Sequence, residues 1–119
     1  MQRIEDAFLS TTGERAFERI ERGEQYASLA RRVWAARGLP DFWQHVLVAE
    51  GRIDIGTDAF VNEWDAVAPA LVVEEAGGRA TGIDGAPYPR ADSLVTTNGV
   101  LHGAVLEALA PRDLVADSH

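Results

Sequence analysis

Apolar residues along the chain come in short clusters separated by glycine, proline and capping residues, and their spacing switches between strand-like and helix-like periods. Residues 7–10 read as a short strand, after which Thr11-Thr12-Gly13-Glu14 offers a capping box for a helix through Arg22 with Ala16, Phe17 and Ile20 on one face. Gly23 interrupts; Tyr26, Leu29, Ala30 and Val33 then repeat the helical spacing, giving a second helix to about residue 32 whose partner helix turns Arg15, Glu18 and Arg19 to solvent. Residues 33–37 predict a strand ended by Gly38-Leu39-Pro40. Asp41 heads a dense apolar segment over 42–49, expected to be a buried helix whose polar exceptions are Gln44 and His45. A structural role is expected for His45. Glu50-Gly51-Arg52 breaks that helix, and the alternation in Arg52-Ile-Asp-Ile-Gly56 predicts a half-buried strand with Asp54 on its exposed face.

The stretch 58–78 has the clearest helix grammar. Asn62 is a good N-cap, Asp65 follows where a carboxylate can reach back, and Trp64, Val67, Ala68, Leu71, Val72 and Glu75 mark one helical face. Gly77 and Gly78 stop it. Pro69 cannot donate to the Asp65 carbonyl, which predicts either a bend or a helix that effectively starts later. Residues 79–83 read as a strand, 84–89 as turn and loop, 93–97 as another strand, and Asn98 as the cap of a last helix closed by Pro111. The acidic tail beyond is expected to fray. Strands alternating with helices, without internal repeats, predict an α/β fold: a single small domain with a mixed, mostly parallel sheet of about five strands flanked by helices.

Composition narrows the chemistry. A chain of 119 residues fits one small domain or part of a larger one, and its net charge of -8 would repel a nucleic-acid backbone or an anionic membrane. Its eleven basic side chains are all arginine, which removes lysine Schiff-base chemistry, and the absence of cysteine removes disulfides, thiolate catalysis and zinc-thiolate sites. No apolar run is long enough for a membrane span and the first residues lack a secretion signal, so a cytoplasmic location is expected.

The Gly-rich phosphate loops and the Gly-x-Ser-x-Gly elbow do not occur. What remains are aspartates flanking the expected strands and helices. Asp41 reads most simply as a helix cap and Asp54 as a solvated strand residue. Asp58 and Asp65 flank a strand-to-helix crevice, the usual ligand position in open α/β sheets, and two carboxylates there suit a cation or hydroxyl groups. On local physics alone, Asp65 is better explained by capping than by metal binding, because a carboxylate in the first turn is stabilised by the helix dipole whatever else it does. Mg²⁺ takes one or two protein carboxylates beside water and phosphate oxygens, so Asp65 could be one ligand but not a site by itself.

Glu63-Trp64-Asp65-Ala-Val-Ala, followed by Val72-Val73-Glu74-Glu75-Ala76-Gly77-Gly78, resembles the C-terminal signature of the inositol monophosphatase superfamily. The resemblance extends in order through Leu9-Ser10-Thr11-Thr12, Arg37-Gly38-Leu39-Pro40-Asp41-Phe42-Trp43, Leu47-Val48-Ala49-Glu50-Gly51 and Thr96-Thr97-Asn98-Gly99-Val100-Leu101-His102. Its Leu-Ser-Thr-Thr and Pro-Asp-Phe-Trp segments are most similar to the histidinol-phosphatase branch, which acts in histidine biosynthesis. The resemblance implies a Mg²⁺-dependent phosphomonoesterase in which metal ions hold the phosphate and activate water. It implies that Asp65 is a metal ligand, reversing the preference for a cap, and that Asp58, Asn62 and Asp41 bind the organic part of the substrate. In histidinol phosphate that part is an imidazole and an amine, which acidic and amide side chains can bind. Pro69 departs from the family, whose members usually carry a small non-proline residue there.

The family's glutamate pair and its Asp-Pro-x-Asp-Gly-Thr/Ser motif belong to an N-terminal lobe, and neither occurs in this sequence. Residues 1–112 are therefore expected to form a C-terminal lobe and 113–119 a disordered tail, with the N-terminal metal-binding lobe absent and negligible phosphatase activity for the chain alone. The expected partners are a small phosphomonoester and either the missing lobe or a second copy of the chain, since a face cut from its neighbour favours association. Two other readings stay open: a phosphatase for inositol phosphate or another small phosphomonoester, and a non-catalytic assembly module.

Overall fold

The computed structural model describes residues 3–11, 14–38, 41–61, 63–86 and 93–111, with the side chains of residues 14, 41, 42 and 63–65 outside that description. A 3-10 turn, Ile4–Asp6, leads into strand β1 (Phe8–Thr11). Helices α1 (Glu14–Arg19) and α2 (Gly23–Arg32) follow, then β2 (Ala35–Gly38), α3 (Asp41–Ala49), β3 (Ile55–Asp58), α4 (Glu63–Glu75), β4 (Arg79–Thr81), β5 (Leu94–Thr97) and α5 (His102–Leu109). The strands form one five-stranded sheet in the order β2-β1-β3-β5-β4. β1 pairs in parallel with β2 and β3, whereas β5 is antiparallel to both β3 and β4. Four strands thus point one way and β5 the other, the mixed and mostly parallel sheet that the alternation predicts.

The connections explain why helices cover both faces. The chain leaves β1 outward to β2, then returns past β1 to β3, and right-handed crossovers in opposite directions place their helices on opposite sides. On one side α2 packs against α5, and Phe17, Tyr26, Leu29, Val105 and Leu109 meet Leu9, Ile55 and Val95 of the sheet. Phe17 and Tyr26 stack with ring centroids 4.6 Å apart. On the other side α3 packs against α4, where Ala66 and Ala70 lie on Ala80 and Leu94, and Val73 joins Val48 and Ile53. Sheets covered on both faces have strands buried throughout, and all four residues of β3 and of β5 are buried.

Several expectations change in detail. β3 starts later than the alternation over 52–56 indicates, so Asp54 precedes the strand and is not on an exposed strand face; its carboxylate accepts a 2.8 Å hydrogen bond from the Phe8 amide, which prolongs the β1–β3 pairing. α4 turns its small residues inward: Ala66, Pro69, Ala70 and Val73 are buried while Val67, Leu71 and Val72 are exposed, so the face marked by apolar spacing looks outward. Small side chains let the helix lie close to α3 and the sheet. Pro69 sits inside α4, which continues from Glu63 to Glu75. Asn98 does not cap α5 directly; its side-chain Oδ1 accepts from the amides of Val100 and Leu101 in the turn before the helix. The expected frayed tail, 113–119, lies outside the described residues. No described helix is long and apolar enough to cross a membrane.

Candidate functional site

The parallel strands β1, β2 and β3 end together at Thr11, Gly38 and Asp58, on the edge of the sheet where α3 and α4 begin. β1 leads to the helices on one face and β3 to α4 on the other, which opens a crevice between the carboxyl ends of adjacent strands, the favoured ligand position in open α/β sheets. Asp58 is the last residue of β3 at this crevice. Asp41 opens α3 and Asp65 lies in the first turn of α4, so the backbone brings both helix starts to the same edge; Asn62 lies outside the described residues.

Asp58 is buried despite its charge. Its Oδ2 accepts a 2.8 Å hydrogen bond from Nε2 of His45, a fully enclosed side chain on α3. A carboxylate only accepts, so Nε2 of His45 carries the hydrogen, and Nδ1 lies 2.6 Å from the hydroxyl of Thr96 on β5. The neighbouring Gln44 is equally enclosed: its amide nitrogen donates to the Thr57 carbonyl at 3.1 Å and its oxygen accepts from the Thr57 amide at 3.2 Å. The Thr57 hydroxyl in turn donates to the Ser10 carbonyl at 2.8 Å. Consecutive polar residues of α3 thus grip the last two residues of β3. The sequence indicates a structural role for His45 but not its partners; the signal for them is that Gln44 and His45 interrupt a helix otherwise apolar enough to be buried, and buried polar groups require partners.

A second buried histidine occupies the opposite face. His102 of α5 lies between Thr81 and Thr97, with Nε2 2.8 Å and Nδ1 3.0 Å from their hydroxyls. The Thr81 hydroxyl donates its hydrogen to the Gly82 carbonyl, so it accepts from Nε2; the Thr97 hydroxyl accepts the Gly99 amide and donates to Nδ1. Burial, reinforced by the positive charge of Arg79, lowers the pKa of His102 from 6.5 to about 4. Thr96 and Thr97, adjacent on β5, therefore send their hydroxyls to histidines on opposite faces of the sheet.

Among the described residues no cluster of histidine, aspartate or glutamate could hold a metal ion by itself. Among the described side chains, Asp58 is a buried carboxylate anchored by His45 at the carboxyl end of β3.

The chain is similar to the histidinol-phosphatase of Streptomyces coelicolor, with 36% identity over 109 residues that cover 92% of this chain and 41% of the relative. It is similar also to the histidinol-phosphatase of Mycobacterium tuberculosis, 45% identical over 86 residues that cover 72% of this chain and 33% of the relative. Among solved structures, inositol monophosphatase from Anabaena (Nostoc) sp. superposes with a TM-score of 0.78 at 25% identity, covering 92% of this chain and 45% of that one. The chain thus spans less than half the length of these relatives, and its sheet and helices are part of their fold. Residues 10–113 match the family model described as the inositol monophosphatase family. This chain belongs to the inositol monophosphatase family.

Proposed function

We propose that this chain is the substrate-recognising lobe of a Mg²⁺-dependent phosphomonoesterase acting on histidinol phosphate. The observation that supports the reading is Asp58: a buried, hydrogen-bonded carboxylate at the carboxyl ends of parallel strands, in a chain similar to two proteins named histidinol-phosphatases. A carboxylate there suits an amine or imidazole, both hydrogen-bond donors and both able to carry positive charge. Asp41 and Asn62 complete the surface that meets the organic group, and Asp65 supplies one metal ligand from the first turn of α4. A bound Mg²⁺ would hold the phosphate and supply Lewis-acid activation of water. This chain's own contribution is to bind and orient the substrate's organic part.

One carboxylate cannot assemble a multi-metal site, so in this reading the other ligands come from an N-terminal lobe and the chain alone releases negligible phosphate. Side-by-side assays of the two lobes together on histidinol phosphate and inositol phosphate test the substrate. Preference for histidinol phosphate, lost in Asp58→Asn, is the expected result. Preference for inositol phosphate would assign the lobe to another phosphomonoester.

A further inference from the structure

We propose that His45 is a positioning residue for substrate recognition: it holds the Asp58 carboxylate in the orientation that meets the substrate's organic group. This rests on the reading of Asp58 given above. Three observations carry it. His45 spans two elements, with Nε2 2.8 Å from Asp58 Oδ2 and Nδ1 2.6 Å from Thr96 Oγ1, so its ring is fixed at both nitrogens. All three side chains are buried, where such hydrogen bonds compete with little water. And β3 carries glycine where the ring passes. A Cβ on Gly56 would lie 2.7 Å from Thr96 Oγ1 and 2.9 Å from His45 Nδ1, so any other residue at this position forces the ring or the threonine to move.

Gly56 is thus part of the same device: the strand gives up a side chain to admit an imidazole from α3, and the imidazole reaches the end of that strand. The Asp58 carboxylate, which only accepts, fixes the tautomer with the hydrogen on Nε2, and the Thr96 hydroxyl then donates to Nδ1. Gln44, gripping the Thr57 backbone one residue earlier, holds the peptide on which Asp58 is mounted. A carboxylate so held loses little side-chain freedom on meeting a ligand, which is how preorganisation strengthens binding.

The test uses the isotopically labelled chain titrated with histidinol, the dephosphorylated organic part, following the backbone amides of Thr57 and Asp58 by NMR. The wild-type chain is expected to bind, and Asp58→Asn to weaken binding roughly tenfold, the scale of one charge-assisted hydrogen bond. His45→Leu and Gly56→Ala are expected to weaken it by a comparable factor. His45→Gln, whose side-chain amide can still donate to the carboxylate, is expected to retain most of the affinity. In the Asp58→Asn background His45→Leu adds no further loss, because His45 acts through Asp58. If His45→Leu does not fold, Thr96→Val and Gly56→Ala carry the same comparison. Wild-type affinity in the His45, Gly56 and Thr96 variants, with weakened binding in Asp58→Asn, overturns the positioning role and leaves the reading of Asp58 standing. Additive losses in the double variant overturn it as well. No binding by the wild-type chain, or undiminished binding by Asp58→Asn, removes the reading of Asp58 and the positioning role together.

Discussion

Acidification should destabilise this chain through His102. In the folded chain the imidazole is enclosed and takes a proton only near pH 4, whereas in the unfolded chain it does so near pH 6.5. Between these values the unfolded state binds the extra proton, so the contribution of His102 is complete above pH 6.5 and declines as pH falls. At roughly 1.4 kcal/mol per pKa unit, the fall from 6.5 to about 4 corresponds to about 3 kcal/mol. That is a substantial part of a small domain's stability, typically about 5–15 kcal/mol. The cause is burial first and Arg79 second. Urea unfolding curves at intervals from pH 7.5 to 4.5, for wild type and His102→Gln, isolate the effect because every other titrating group is common to both. The variant is expected to be less stable at pH 7.5, having lost the imidazole that bridges the Thr81 and Thr97 hydroxyls, and the gap should close as pH falls. Parallel stability-versus-pH curves for the two proteins would refute the assignment.

Other consequences follow from single contacts. Gln44→Ala leaves the enclosed Thr57 amide and carbonyl without their side-chain partner and should cost about 2–4 kcal/mol, read from the urea midpoint. Gly78→Ala directs a methyl group onto the Thr97 carbonyl and Val73, so it should destabilise by at least about 1–3 kcal/mol, whereas Gly103→Ala on α5 meets no neighbouring atom and should stabilise by up to about 1 kcal/mol, both read by thermal melts. Leu71 and Val67 lie one helical turn apart on the exposed face of α4; we predict that the isolated chain associates through this face, that Leu71→Asp shifts light scattering toward monomer, and that a wild-type monomer over a wide concentration range contradicts this.

The element order was legible because the punctuation is local. Gly77, with a φ of +94°, ends α4 where the glycine pair indicates, and Asp41 opens α3 where the apolar segment begins. Which face of α4 is buried was not legible, since nearly every residue from Ala66 to Val73 is apolar and such a segment has no preferred side. The choice is made by size, with alanines and Pro69 against the neighbours and Leu71 outside. The alternation over 52–56 misplaced β3 for a related reason: a strand covered on both faces need not alternate, and the four residues that pair are all buried. Asp58 was legible as a candidate by its place before a helix. Its attachment to His45, and through that ring to Thr96, was not, because those residues come from a different helix and a different strand and no local spacing joins them.

Whether this chain is the substrate-recognising lobe of a two-lobed phosphatase is decided by phosphate release from histidinol phosphate with Mg²⁺, by this chain alone and by this chain mixed with the N-terminal lobe of a histidinol-phosphatase. Negligible turnover alone and turnover on mixing are expected, with Asp65→Asn abolishing it and Asp58→Asn weakening substrate binding. Turnover by the isolated chain that Asp65→Asn abolishes, or reconstituted turnover indifferent to both substitutions, would contradict that role.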